Sequence, residues 1–468
     1  MLFPSHEFLF YFLPLLLGFY YLSPDRHRRA LLTVASYFFY GWWNPKFISL
    51  LLISTVIDYF CGGRIHRSDD PRVKKRYLIL SVLTNLGLLG FFKYFMFANQ
   101  SLAGLFSLTG ASYPAALLNV KVLLPIGISF FTFQSMSYTI DIYRGRVAPA
   151  ASIVDFACYI ALFPQLIAGP IVRFSAIAEQ LRRPQISLRH FNLGLQFFII
   201  GLAKKVLIAD NLSPLVEGFF DASSLAGFGS LDAALATVAY SMQIYFDFSG
   251  YSDMAVGLGY FLGYRFPQNF NSPYKSPSIS EFWRRWHMTL SYWLRDYLYI
   301  PLGGSRRGRG KTYRNLAVTM LLGGLWHGAN WTFVLWGAWH GLWLMIERAL
   351  GAKNPLRKVP RAVQTAWTFV LVCLGWVVFR AHDAAAAGAV YRKLFAFDFS
   401  VSALWSTQYS LPLLVLAAGV VTSFALRNSW QISTEPRWTK TLGLAVLFVL
   451  SLLFLFGSVT HPFLYFQF

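Results

Sequence analysis

The chain has 468 residues, of which 56% are hydrophobic, 18% aromatic and only 13% charged. That leaves too little polar surface for a soluble globular protein, so composition alone points to an integral membrane protein. The formal charge is +21, but the basic residues cluster between apolar stretches. This is the pattern of membrane topology and contact with anionic lipid, and it argues against a nucleic-acid surface.

A helix needs about 20 apolar residues to cross a hydrocarbon core of roughly 30 Å. On that scale the pattern predicts spans at 8–22, 31–42, 47–62, 77–97, 122–140, 191–209, 233–262, 367–379, 411–426 and 442–456, the second and third being short. The first carries Glu7 ahead of it and has no small-residue cleavage site after Leu22, so it is expected to stay as a span rather than leave as a signal peptide. Two further apolar segments are expected to enter without crossing: 153–172, broken by Pro164 and Pro170, and 316–345, broken by Gly323, Gly324 and Gly328. Broken helices at membrane depth are tolerated where they are buried in protein or line a cavity. The expected fold class is therefore an all-α polytopic membrane protein, about ten spanning helices plus re-entrant or broken helices around a central tunnel, in one domain over 1–468.

Basic residues in short loops stay on the cytoplasmic side. Arg26, Arg28 and Arg29 follow the first span, the run from Arg64 to Arg76 follows the third, and Arg144 and Arg146 follow the fifth. Arg306, Arg307, Arg309, Lys311 and Arg314 fall on the same side as Lys353, Arg357, Lys358 and Arg361 if the segment between them dips in and returns. Both termini then lie outside the cytoplasm. Cys61, Cys158 and Cys373 have neither disulfide nor metal spacing and read as apolar packing residues.

Asp247 and Asp253 interrupt the 233–262 run. Six residues apart, they lie about 120° from each other on a helix, which suits hydrogen-bonded architecture better than acid–base partnership. Further on, Ser278 and Glu281 fit a capping box, predicting a helix over 282–297 that closes at Pro301 to Gly304. On a 3.6-residue period Trp283, Trp286, Leu290, Trp293 and Tyr297 form one stripe, and Arg284, His287, Ser291 and Arg295 another. Such a helix can lie at the headgroup level, or form the cytoplasmic mouth of a buried site with Arg284, Arg285 or Arg295 facing a phosphate-bearing ligand and His287 facing inward.

His327, in LLGGLWHGANW, stands in an apolar segment and at one of its breaks. A titratable side chain at membrane depth marks a functional site by default, and together with His287 it suggests proton chemistry inside a membrane. His340 repeats the Trp-His-Gly triplet inside a continuous helical pattern and reads as structural. Isolated histidines without paired ligand spacing give no metal site.

Four runs resemble the membrane-bound O-acyltransferase superfamily, and within it the alginate O-acetyltransferase branch: YFDFSGYSDMA from Tyr245, FPQNFNSPY from Phe266, EFWRRWHMTLSYWLRDYLYIPLGG from Glu281 and LWHGANW from Leu325. The opening 1–23 and the closing FLYFQF from Phe463 are similar to that branch too, so the likeness runs almost the full chain around core motifs at 245–348. It implies a multi-pass enzyme of the bacterial inner membrane. Such an enzyme moves an acyl group, acetyl in that branch, from a cytoplasmic thioester donor such as acetyl-CoA or an acyl carrier protein toward hydroxyls of an extracytoplasmic polysaccharide. Transfer would be direct or through a partner acetyltransferase or polymer-synthesis protein, with no permanently bound cofactor. The family's catalytic histidine matches His327 and its second signature position matches His287. Related enzymes acting on D-alanine share these elements, so D-alanyl or peptidoglycan O-acyl transfer, or a non-enzymatic transporter or assembly subunit, are the competing readings.

The chemistry suits the residues. O-acylation needs a base for the attacking hydroxyl, and an imidazole of ordinary pKa about 6.5 serves at neutral pH, worth roughly 10²- to 10⁴-fold. Asn330, His287 or backbone donors near Gly328 are candidates to stabilise charge on the thioester oxygen. No Gly-x-Ser-x-Gly elbow and no phosphate-binding Walker loop is present. The topology has a direct test: a cysteine placed at Gly308 is expected to react with an impermeant reagent only from the cytoplasmic side, and labelling from outside intact cells would overturn the orientation.

Overall fold

The computed structural model describes residues 1–400, 402–432, 438–457 and 462–464, so 465–468 of the closing motif lie outside the described part. Among the described residues every regular element is helical. The chain divides into two compact units, one of Met1–Gly194 with Leu258–Phe266, the other of Leu195–Gly257 with Pro267–Phe468.

The first unit contains α1 Glu7–Leu22, α2 Asp25–Gly41, α3 Pro45–Arg67, α4 Pro71–Leu108, α5 Ile128–Tyr143 and α6 Ile153–Ala161. Its buried polar residues are cross-linked. Asp58 on α3 accepts from Asn85 Nδ2 on α4 at 2.8 Å and from Ser81 Oγ, which in turn lies 2.8 Å from Thr139 Oγ1 on α5. Polar groups inside an apolar bundle are stable only when paired in this way. The predicted break in 153–172 is present: α6 stops at Ala161, and a single turn, Phe163–Leu166, follows before Pro170.

The second unit holds most of α7 Leu188–Phe220 and of α8 Ser230–Phe261, followed by α9 Ile279–Arg285, α10 Met288–Leu294, α11 Arg309–His327, α12 Trp331–Leu350, α13 Arg361–Arg380, α14 Ala384–Leu394, α15 Thr407–Ala425 and α16 Trp438–Gly457.

 Helices α7 and α8 meet where Gly201 faces Gly250: a Cβ on either would come within 2.5 to 2.7 Å of the other's carbonyl oxygen. This approach lets a π-helical turn, Lys204–Ala209, present consecutive lysines to α8, with Lys204 Nζ 2.6 Å from Asp253 and Lys205 Nζ 2.8 Å from Asp247 and 2.6 Å from Asp210. The two aspartates thus use different faces of α8, each paired with a lysine, Lys205 being shared with Asp210, since buried charges need partners.

Six helices are long and apolar enough to cross a membrane among the described residues: α3, α4, α7, α13, α15 and α16. They match the third, fourth, sixth, eighth, ninth and tenth predicted spans. The other four predicted spans also fold as helices. Of these, α1 is apolar but shorter, α2 has 17 residues with three arginines at its start, and α5 has 16 and begins only at Ile128. Helix α8 is 32 residues long but carries Asp232, Asp247 and Asp253.

Two local expectations need correction. The 316–345 segment is not broken at Gly323 or Gly324, because α11 runs through both and only Gly328 to Asn330 interrupt it. Those glycines serve packing instead. A Cβ on Gly324 would sit 2.2 Å from the Phe333 carbonyl oxygen, and one on Gly337 2.3 Å from that of Met320, so small residues let α11 and α12 touch backbone to backbone. The predicted helix over 282–297 is the second correction. It is interrupted at Trp286 and His287, giving α9 and α10. Gly324→Ala is expected to destabilise the protein by about 1–3 kcal/mol through overpacking, read as a lower melting temperature in detergent; an unchanged melting temperature would show that the hairpin is not held by this contact.

Candidate active site

His327 is the last residue of α11, placed there because the extended Gly328 ends the helix and Asn330 opens the next. Asn330 Oδ1 accepts the Thr332 N–H at 3.1 Å, an ordinary N-cap. Gly328 cannot carry a side chain: a Cβ there would lie 2.0 Å from the Phe333 ring. The His327 imidazole is buried, edge-on to Trp326 and Trp336, each 5.1 Å away, and 5.6 Å from the Phe379 ring.

His287 lies at the second interruption, with φ 40° and ψ 54°, a left-handed conformation that costs of order 1–3 kcal/mol for a non-glycine residue unless its surroundings impose it. Asn269 imposes it. The Met288 N–H donates to the Asn269 carbonyl oxygen at 2.9 Å, and the Thr289 N–H and hydroxyl donate to Asn269 Oδ1 at 3.3 and 2.9 Å. These tertiary bonds replace the helical ones that a continuous 282–297 helix would have made, which local periodicity could not reveal. The break turns the His287 ring toward His327, with centroids 6.2 Å apart and planes at 60°. Phe248 on α8 packs edge-on against His287 at 4.7 Å. Two buried imidazoles, each at a helix interruption, therefore share one aromatic enclosure.

The tryptophan stripe does not lie at a headgroup surface. Trp286 is fully buried between Phe282, Phe270 and Trp376, with the Trp376 ring centroid 4.9 Å away. The capping box is half made: Ser278 Oγ accepts the Glu281 N–H at 3.1 Å, but the Glu281 carboxylate turns to Arg285. Glu347 at the far end of α12 instead accepts two other first-turn donors, the N–H groups of Ile279 and Ser280, at 2.6 and 2.9 Å.

The three arginines separate. Arg284 is exposed. Arg285 is committed to Glu281 and to the Asn271 carbonyl oxygen. Arg295 is bonded to Asp296 at 2.7 Å, which raises its already high pKa and keeps it charged. It lines a cleft of about 450 Å³ with Tyr299, Gly303, Gly304, Ser305, Arg306 and Arg307. Arg306 and Arg307 belong to a basic loop whose charge alone suits topology and an anionic cytoplasmic donor equally. Asn330, besides capping α12, donates Nδ2 to the His382 carbonyl oxygen at 2.9 Å, so both ends of its amide are engaged. His340 is buried against Trp336 at 4.9 Å and stacks on Phe282 at 5.9 Å. It shares the Trp336 ring with His327. Asn269 lies inside the FPQNFNSPY run, but nothing in its spacing connects it to His287.

The profile of the MBOAT, membrane-bound O-acyltransferase family matches residues 147–382, which include both histidines. The chain is 46% identical to the probable alginate O-acetylase of Pseudomonas putida over the whole of both chains. It is 48% identical to the probable alginate O-acetylase of Pseudomonas aeruginosa over 94% of this chain and 84% of that protein. A peptidoglycan O-acetyltransferase of Helicobacter pylori is 37% identical over 100% of this chain and 98% of its own length.

Proposed function

The chain belongs to the membrane-bound O-acyltransferase family, and from that premise we propose that it moves an acetyl group from a cytoplasmic thioester, acetyl-CoA or an acyl carrier protein, toward hydroxyls of an extracytoplasmic polysaccharide. Alginate or a related exopolysaccharide is the polymer this reading favours, given full-length identity of 46% to a probable alginate O-acetylase. The 37% identity to a peptidoglycan O-acetyltransferase supports peptidoglycan as the second reading. Composition analysis of the cell-envelope polymers in a deletion strain separates the two. The site of action is the bacterial inner membrane, and the acetyl group passes to the polymer directly or through a partner acetyltransferase.

The observation that carries the reading is the pair of buried imidazoles, 6.2 Å between centroids, in a chain of this family. In the proposed reaction His327 takes the proton of the attacking hydroxyl, the oxygen forms its bond to the thioester carbonyl carbon, the carbon–sulfur bond breaks, and the proton passes to the departing thiolate. Positioned proton transfer of this kind is worth roughly 10²- to 10⁴-fold. Oxyanion stabilisation falls to donors close to the carbonyl, for which the candidates are backbone N–H groups near Gly328, where the chain leaves its helix.

His327→Ala and His327→Gln are expected to abolish acetyl transfer from acetyl-CoA while protein level and insertion stay normal, because neither side chain accepts a proton at neutral pH. His287→Ala should be weaker or equal in effect and His340→Ala the mildest. Full activity in His327→Ala would exclude the mechanism.

The donor is proposed to dock its phosphates at the arginine cleft. Arg295→Glu and Arg306→Glu should each weaken donor use by about 1–3 kcal/mol, as loss of a charge-assisted contact does, and added salt should mimic them. An unchanged KM for acetyl-CoA in both variants would remove the cleft from the donor path.

A further inference from the structure

The bonds around Asn269 fix something that the ring positions leave open: which nitrogen of His287 carries hydrogen. A backbone N–H can only donate, and that of Thr289 reaches one side-chain atom of Asn269 at 3.3 Å, an atom that also takes the Thr289 hydroxyl at 2.9 Å. This atom is therefore the amide oxygen. The other arm, Nδ2, donates to Ser252 Oγ on α8 at 3.2 Å, consistent with the same orientation. An amide oxygen only accepts, and His287 Nδ1 lies 3.1 Å from it. Nδ1 must then be the protonated nitrogen, and in the neutral ring the lone pair sits on Nε2.

We propose that Asn269 is a positioning residue that holds His287 as the Nδ1–H tautomer, so that the nitrogen His287 offers to the reaction is an acceptor. The consequence is a division of roles. A neutral His287 in this tautomer cannot donate a hydrogen bond through Nε2 to the thioester oxygen, so it acts on the hydroxyl side of the reaction, accepting a hydrogen bond from the incoming hydroxyl or from an N–H of His327. The same amide oxygen that sets the tautomer also answers the Thr289 N–H at the break, so ring orientation and backbone conformation are locked by one side chain. This inference rests on the reading of His287 and His327 as the catalytic pair.

The test combines spectroscopy with kinetics on the full-length protein in bilayers. With 15N-labelled histidine, solid-state NMR compared against a His287→Gln sample is expected to show His287 protonated at Nδ1 and bearing the lone pair at Nε2, whereas Asn269→Leu loses that preference. In acetyl transfer from acetyl-CoA, Asn269→Leu should lower kcat by roughly tenfold or more with KM for acetyl-CoA changed by less than about twofold. Asn269→Asp, which keeps an acceptor oxygen opposite Nδ1, should recover a large part of the lost kcat. A wild-type spectrum with hydrogen on Nε2, or wild-type kcat in Asn269→Leu, would overturn the proposal. If Asn269→Leu does not insert, the wild-type spectrum decides alone. An active His327→Ala variant would instead remove the catalytic reading and leave the tautomer result standing.

Discussion

Inside an apolar bundle every backbone N–H and carbonyl needs a partner, and a helix can be interrupted only where something else supplies one. This constraint governs the region of the two buried histidines. At 286–288 the chain abandons its helix, and Asn269 supplies both a backbone and a side-chain oxygen to the N–H groups left behind. At 328–330 the chain abandons a second helix, and Asn330 caps the next one. Both histidines of the pair occupy these interruptions, where a side chain can leave the helical stripe and turn toward a neighbour.

The interruptions would be useless without rigid walls. Helices α11 and α12 are pressed together at Gly324 and Gly337 until backbone meets backbone, which fixes Trp336 against His327. Phe248, which packs on His287, belongs to α8, and α8 is held in turn by its close contact with α7 and by the two lysine–aspartate pairs. Glu347 adds a further link, tying the end of α12 to the start of α9. The Trp336 and Phe248 walls of the aromatic enclosure are thus anchored by polar or close-packed contacts outside it, the kind of support that holds a buried site rigid.

Much of this was legible in the sequence, and the parts that were not share one cause. Composition and apolar run length placed the chain in a membrane, and the polarity of His327 in an apolar segment marked it before any geometry was known. Periodicity failed at His287 because a continuous amphipathic pattern crosses the break: Trp283, Trp286 and Leu290 keep helical spacing although the helix stops between them. The decisive partner, Asn269, is 18 residues away in sequence, and a local window cannot see it. At Gly323 and Gly324 the pattern misleads for the converse reason. Glycine in a helical pattern signals either a break or a close approach, and the neighbours decide between them, Leu294 at Gly323 and Phe333 with Gly337 at Gly324.

The proton balance of the proposed reaction explains why the other buried charges stand where they do. Transfer from a thioester to a hydroxyl takes one proton from oxygen and returns it to sulfur, with none released. A pair of imidazoles within one enclosure can carry that proton for the lifetime of the transfer, and no chain of titratable groups to either surface is required. In that reaction Lys205, held between Asp210 and Asp247, and Lys204 against Asp253 are not needed to conduct a proton. Their geometry suits the other task open to buried charges, which is fixing the register of two helices. A lysine paired at 2.6 to 2.8 Å with carboxylates from its own helix and from α8 resists any sliding of α7 along α8, because a shift of one turn would leave a charge buried without its partner. Register on α8 is what sets Phe248, and through it the wall behind His287.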